Sequence, residues 1–175
     1  MSTQLVVPEE ILTRRLRLRR YRPGDDEAFR GLLKTFESTR DASFADEQKT
    51  PSGAETVLQG GVELVDMAPL VFVMTITLLV LDRPVGSCGL SPTSRDGAIE
   101  VFFTLLPSAQ GHGYATETVE ALVEFARSEG LQQMVARVFD GNKPSIGVLE
   151  RAGFKMSQAV DGELGSISIY ELNLQ

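Results

Sequence analysis

Gln110-Gly111-His112-Gly113-Tyr114-Ala115 separates an apolar, strand-like run ending at Leu106-Pro107 from a helix-like run that begins near Ala115. A strand, a glycine turn and a helix start, in that order, make a cradle for an anion. Glycine leaves the backbone N–H uncovered and permits the positive φ that points successive N–H groups inward. The helix behind adds partial positive charge where a phosphate would sit. A glycine turn by itself is more often an ordinary loop; the strand before it and the amphipathic helix after it direct the reading toward phosphate.

Outward from this loop the chain alternates strand-like and helix-like runs, with no repeat and no dividing linker, which implies one α/β domain over residues 1–175. Arg15-Leu16-Arg17-Leu18-Arg19 has period two and reads as a first strand, its arginines forming one solvated face. Asp25 or Asp26, after Pro23-Gly24, is placed to cap a helix whose apolar face uses Ala28, Phe29, Leu32, Leu33 and Phe36. Asp41 to Gly61 is polar and reads as a loop and a second helix. Strands follow near Leu70–Leu81 and Val85–Leu90, joined at Asp82-Arg83-Pro84, and the turn Arg95-Asp96-Gly97 leads into Ala98–Leu106. Beyond the glycine loop, Ala115, Val119, Leu122, Val123 and Ala126 share one helical face, with Gly130 as the stop. Met134–Phe139 is a further strand. Asn142 caps a helix with Pro144 in its first turn, running to about Ala152. Two last strands, near Phe154–Val160 and Ser166–Leu174, flank Asp161-Gly162. Gly147, inside that helix, marks a close approach of backbone or ligand.

Composition narrows the function classes. The chain has 175 residues, 42% hydrophobic, enough to bury a core. A net charge of -7 argues against a nucleic-acid partner and leans toward a cationic acceptor. One cysteine, Cys88, and one histidine, His112, allow neither an intrachain disulfide nor a histidine-rich metal site. Met1 to Pro8 lacks a secretory pattern, so the expected place is the cytoplasm, with no metal. Met67 to Leu81 is too short to span a membrane as a helix, about 22 Å against a ~30 Å hydrocarbon core, and its β-branched content suits a strand buried on both faces.

Gln110-x-x-Gly113-x-Ala115 after a strand, then Asn142-x-x-Ser145, then Leu149-x-x-x-Gly153-Phe154, resembles the GNAT superfamily of acyl-CoA N-acyltransferases. Arg15-Leu16-x-Leu18-Arg19, with Asp25-Asp26 beyond, further resembles its RimJ/RimL-like branch of ribosomal-protein N-terminal acetyltransferases. The likeness runs from about Leu12 to Leu174. It implies an α/β (α+β) fold: a mixed, mostly antiparallel sheet of about seven strands, its fourth and fifth strands splayed, flanked by about four helices. It implies acetyl-CoA as acyl donor, a primary amine as acceptor, and no metal, nucleic acid or membrane partner; it also admits a homodimer, for which the sequence offers no apolar surface stripe. On the matching positions, backbone groups of Phe103, Thr104 and Leu105 line the pantetheine arm, with the Leu105 N–H as oxyanion donor. Gln110, Gly111, His112, Gly113, Tyr114, Ala115 and Thr116 wrap the pyrophosphate, Asn142 bonds the pantetheine, and Ser145 lies near the thioester sulfur or the distal half of the donor.

Such a site needs a proton acceptor for the attacking amine and a donor for the departing thiolate. Two positions depart from a common pattern: Arg137 stands where several members carry a glutamate, and Leu149 where they carry a tyrosine acid. Ser145 matches the serine that serves as proton donor in RimL-like members. Glu100, at a strand start, and Glu163, near the last hairpin, are the carboxylates available as base, beside a water relay. Each residue also has a plain reading: Asn142 a helix cap, Ser145 an ordinary first-turn serine, His112 a solvent-facing loop residue, Cys88 a small buried hydrophobe. Two other classes compete, a non-catalytic acyl-CoA sensor that lacks a proton path, and a dinucleotide oxidoreductase. The latter requires the glycine turn after the first strand and a G-x-G-x-x-G spacing, and neither holds. The acceptor, a protein N-terminus, polyamine, amino sugar or other small amine, is left open; its pocket is expected from Phe36–Val62 and Val160–Ser166, where carboxylates such as Asp41, Asp46 or Glu47 would point to a polyamine or aminoglycoside and a shallow open groove to a peptide.

Overall fold

The computed structural model describes residues 8–25, 28, 72–162 and 165–175. Its elements in chain order are β1 (Glu10–Leu12), β2 (Leu16–Arg19), β3 (Phe72–Leu78), β4 (Pro84–Pro92), β5 (Ala98–Leu105), a 3-10 turn (Pro107–Ala109), α1 (Tyr114–Ser128), β6 (Gln133–Phe139), α2 (Lys143–Arg151), β7 (Lys155–Gly162) and β8 (Gly165–Asn173). The strands form one sheet in the order β1-β2-β3-β4-β5-β6-β8-β7. All neighbours are antiparallel except β5 and β6, which run parallel because α1 carries the chain over from one to the other.

The sheet thus has eight strands, against about seven expected. The addition is β1, three residues long and too short to show a period, held by pairing Ile11 with Leu18. The expected first strand is β2. The strand expected to reach Leu81 stops at Leu78: the Leu78 N–H turns to the Arg83 carbonyl, Asp82 takes a φ of 47°, and Val80 and Leu81 are exposed. The first two expected helices, with Asp26, Glu163 and most of the expected acceptor pocket, lie outside the described residues; of them, Ala28 is described, helical and buried.

Period-two alternation sorts the strands into two unlike faces. Leu16, Leu18, Met74, Ile76, Cys88, Leu90, Val101, Met134 and Ala136 turn to one face and are buried there with Val119, Leu122, Val123 and Ala126 of α1 and Val148 and Leu149 of α2. Each such leucine contributes about 1.5 to 3 kcal/mol by leaving water. Both helices stop at glycine: the Leu131 N–H reaches the Ala126 carbonyl at 3.1 Å past Gly130, and the Phe154 N–H reaches the Leu149 carbonyl at 3.0 Å past Gly153.

The opposite face carries buried polar side chains, Arg19, Thr75, Ser87, Ser91 and Glu100 among them. Arg19 corrects the reading of its cluster as a solvated face. It is 4% exposed and bonds Asp25 through both terminal nitrogens, at 2.7 and 3.2 Å, while its Nε donates to Asp82 at 3.0 Å. Asp25 also accepts from the Thr75 hydroxyl and the Arg22 N–H, so the buried pair is satisfied on most sides. With Thr75 and Thr77 buried on one side and Met74 and Ile76 on the other, β3 is covered on both faces, as its composition implied.

Candidate active site

The parallel pairing of β5 with β6 covers Ala98, Ile99 and Glu100 against Gln133, Met134 and Val135, and ends there. Beyond it Val101–Leu105 and Ala136–Phe139 part, since β5 stays bound to β4 and β6 to β8 along their lengths. On β5 the Leu106 N–H bonds the Val85 carbonyl at 2.8 Å on the β4 side. Alternation therefore turns the N–H groups of Phe103 and Leu105 toward the opening. The Leu105 carbonyl, on that same edge, accepts from Gln110 Nε2 at 3.2 Å, which ties the glycine loop to the open strand.

One glycine makes this possible. Gly86 lies opposite Leu105, and a Cβ there would sit 2.2 Å from the Thr104 carbonyl oxygen and 3.0 Å from Leu105 Cα. Sequence reading passed over Gly86, because a glycine in a strand looks like weak propensity until its neighbour is known.

At the head of α1, Gly111 and Gly113 both take a φ of 79°. A Cβ at Gly111 would meet nothing within 4 Å, so the loop is open on that side. Two left-handed glycines at a helix N-terminus have the backbone that suits an anion, and would fit the pyrophosphate of a CoA donor. His112 is exposed, with Nδ1 2.8 Å from the Gln110 carbonyl and its ring stacked on Tyr114 at 5.5 Å. Ala115 packs against the core, and Thr116 Oγ1 accepts from Arg151 Nε at 3.3 Å. Arg151 folds back over Gly147, where a Cβ would lie 3.2 Å from its Nη1; what approaches Gly147 is the end of this flexible side chain, not the backbone expected there.

Arg15 braces the loop. Its Nη1 donates to the His112 carbonyl at 2.9 Å, its Nε to Glu117 Oε2 at 2.7 Å, and its guanidinium lies 4.8 Å over the Tyr114 ring. Glu117 also accepts from the Thr13 hydroxyl and the Arg15 N–H. Burial pushes the Glu117 carboxyl up, but these hydrogen bonds and the Arg15 charge outweigh it and hold the carboxyl below its ordinary value. Arg14, Arg15 and Arg151 border a cleft of about 510 Å³ beside Gly113 and Thr116. The sequence signal for Arg14 and Arg15 was present in their cluster; their proximity to a loop nearly a hundred residues away was not.

Asn142 caps α2 as expected, Oδ1 accepting from the Ser145 N–H at 3.3 Å. The cap uses the amide oxygen, so the Nδ2 donors are not engaged by it. Ser145 is half-buried on the first turn, and Leu149 is buried in the core. Glu100, 6% exposed, meets Arg137 across the parting strands, with Nη2 to Oε2 at 3.2 Å. Glu100 thus brings a carboxylate to the opening from β5, beside Arg137 of β6. Cys88 is fully buried and its thiol is pushed well above the ordinary range by desolvation, so it is no nucleophile. No helix among the described residues is long and apolar enough to cross a membrane, and no three His, Cys, Asp or Glu side chains among them gather as a metal set.

Comparison with known proteins bears on the fold and the family. L-methionine sulfoximine/L-methionine sulfone acetyltransferases of Pseudomonas paraeruginosa and Pseudomonas aeruginosa are 38% identical over 61 residues, 35% of this chain and 36% of each relative. The matched region is thus little more than a third of those relatives. A RimL ribosomal L7/L12 α-N-protein acetyltransferase solved with coenzyme A superposes with a TM-score of 0.71 at 20% identity, covering 94% of this chain and 98% of that one. Mycobacterium smegmatis RimJ, solved with CoA-disulfide, gives 0.69 at 15% identity over 90% and 81%. The family profile described as an acetyltransferase (GNAT) domain matches residues 15–155, so the chain belongs to the GNAT acetyltransferase family.

Proposed function

We propose that this protein is an N-acetyltransferase that moves the acetyl group of acetyl-CoA directly to a primary amine. The observation that carries the reading is the conjunction of the β5–β6 opening with a doubly left-handed glycine loop at the head of α1. When bound, acetyl-CoA supplies a thioester acyl group open to attack by an amine. The N–H groups from Gly111 to Thr116 hold the pyrophosphate, with Gln110 fixing the loop to β5, and the amide of Asn142 orients the pantetheine. The N–H groups of Phe103 and Leu105 face the arm, and the Leu105 N–H is the donor for developing oxyanion charge, a role worth about 3 to 4 kcal/mol in other acyl-transfer sites. Glu100 accepts the amine proton at its carboxylate, directly or through water, and Ser145 Oγ holds the proton for the leaving sulfur. The acceptor classes compatible with the relatives' names range from protein N-termini to amino acid derivatives.

Release of free thiol from acetyl-CoA, measured over a library of primary amines, tests this reading. Amine-dependent release supports it. Saturable acetyl-CoA binding with no release on any amine would instead favour the acyl-CoA sensor. Loss of turnover in Ser145→Ala with acetyl-CoA binding retained assigns the proton-donor role, and unchanged turnover removes it.

A further inference from the structure

Glu100 and Arg137 form an ion pair that spans the point where the sheet splits. Glu100 is the last β5 residue paired with β6, and Arg137 lies two positions beyond its partner Val135, where the strands have parted. The pair is lopsided: the Glu100 side chain is 7% exposed and that of Arg137 45% exposed, so the guanidinium forms the accessible half. Paired residues share a sheet face, so Val135 and Phe139 on β6 and Ile167 and Ile169 on β8 stand on the same face as Arg137. All four are half-buried. Glu171, opposite Val135, shares this face and is held by Gln133 Nε2 at 2.9 Å and by Arg95 at 3.3 Å. A guanidinium bordered by these apolar side chains, with the Glu100 carboxylate 3.2 Å away at the opening, is a receptor for a molecule carrying both charges and an apolar body.

We propose that the acceptor is a free α-amino acid with an apolar side chain, its carboxylate on Arg137, its amino group beside Glu100 and its side chain over Phe139, Ile167 and Ile169. This rests on the acyl-transfer reading above and names its substrate. An amine without a carboxylate that paired with Glu100 would leave Arg137 with a weakened anionic partner; a zwitterion exchanges partners with both groups at once. A polyamine meets the guanidinium as a like charge. The net charge of -7 leans toward cationic acceptors, but charges beyond a Debye length of ~8 Å are largely screened, and the local cation decides.

The test measures kcat/KM by thiol release for matched acceptors, leucine against leucinamide and isoamylamine, and phenylalanine against phenethylamine, together with calorimetric binding of leucine. The amino acid is expected to exceed its carboxylate-free partner by about tenfold to a hundredfold, as for a hydrogen-bonded charge. Arg137→Gln should collapse that ratio to near unity and abolish calorimetric leucine binding, and Arg137→Lys should restore part of it. Equal or better use of the amines and the amide, or a ratio unmoved in Arg137→Gln, overturns the inference while leaving acyl transfer standing. No thiol release from any amine by a protein that binds acetyl-CoA overturns both.

Discussion

The residues that matter most are glycines with unlike reasons for being glycine. At Gly111 a side chain would have room but an unfavourable φ, whereas at Gly86 the φ is ordinary and there is no room. Gly111→Ala should therefore lower stability by about 1 to 2 kcal/mol and raise the KM for acetyl-CoA, with the fold intact by circular dichroism. Gly86→Ala forces the β4–β5 ladder apart beside Leu105 and is expected to destabilise by about 3 kcal/mol in urea melts, with kcat falling in whatever fraction still folds. A nearly equal loss of stability in the two variants would contradict the packing account of Gly86. Cys88 gives a third residue-scale expectation: with no exposed surface and a strongly raised thiol pKa, it should resist a thiol reagent until the protein is unfolded.

At the scale of elements, the Thr13–Arg15 connection between β1 and β2 is fastened to the first turn of α1 through Glu117. The folded-state pKa of Glu117 lies below its ordinary 4.5, so its contribution is complete above that value and is lost as pH falls through the folded pKa. Asp82, held down by the hydrogen bond from Arg19, acts in the same sense. Glu117→Gln should lower stability by about 1 to 2 kcal/mol at pH 7, and the gap from wild type should close in acid, below the ordinary glutamate range. Melts of both proteins across that range would show it; a gap constant with pH would mean that the charge is not what fastens the helix.

For the whole molecule, the Arg19–Asp25 pair matters because both side chains are buried and water cannot readily replace a lost partner. Asp25→Ala removes the partner of both terminal nitrogens and leaves the buried guanidinium with Asp82 at its Nε, and should cost about 3 kcal/mol, a sizeable share of a domain's stability. Donor binding acts in the other direction. Acetyl-CoA at a hundred times its Kd should stabilise the fold by about 2.7 kcal/mol, read as a rise in Tm that a nicotinamide dinucleotide does not reproduce. A larger rise with the dinucleotide would displace the acyl-transfer reading.

Strand and helix identities were legible wherever a local period ran for several residues: β3, β4, α1 and β6 follow their patterns, and Asn142 and Gly153 bound α2 as their types require. The left-handed turns of the glycine loop were legible because they depend on backbone freedom written in residue type. What only the tertiary structure decided depends on partners distant in sequence. Arg19 is buried because Asp25 and Asp82 converge on it, Arg15 is a brace because His112 and Glu117 come to it, and Gly86 is obligatory because Leu105 lies opposite. The same holds for Glu100 and Arg137: on separate strands they read as two unrelated charges, and the pairing of β5 with β6 brings them into one ion pair. Periodicity and turn chemistry act over a few residues, whereas ion pairs, close approaches and openings are set by which strands the chain brings side by side.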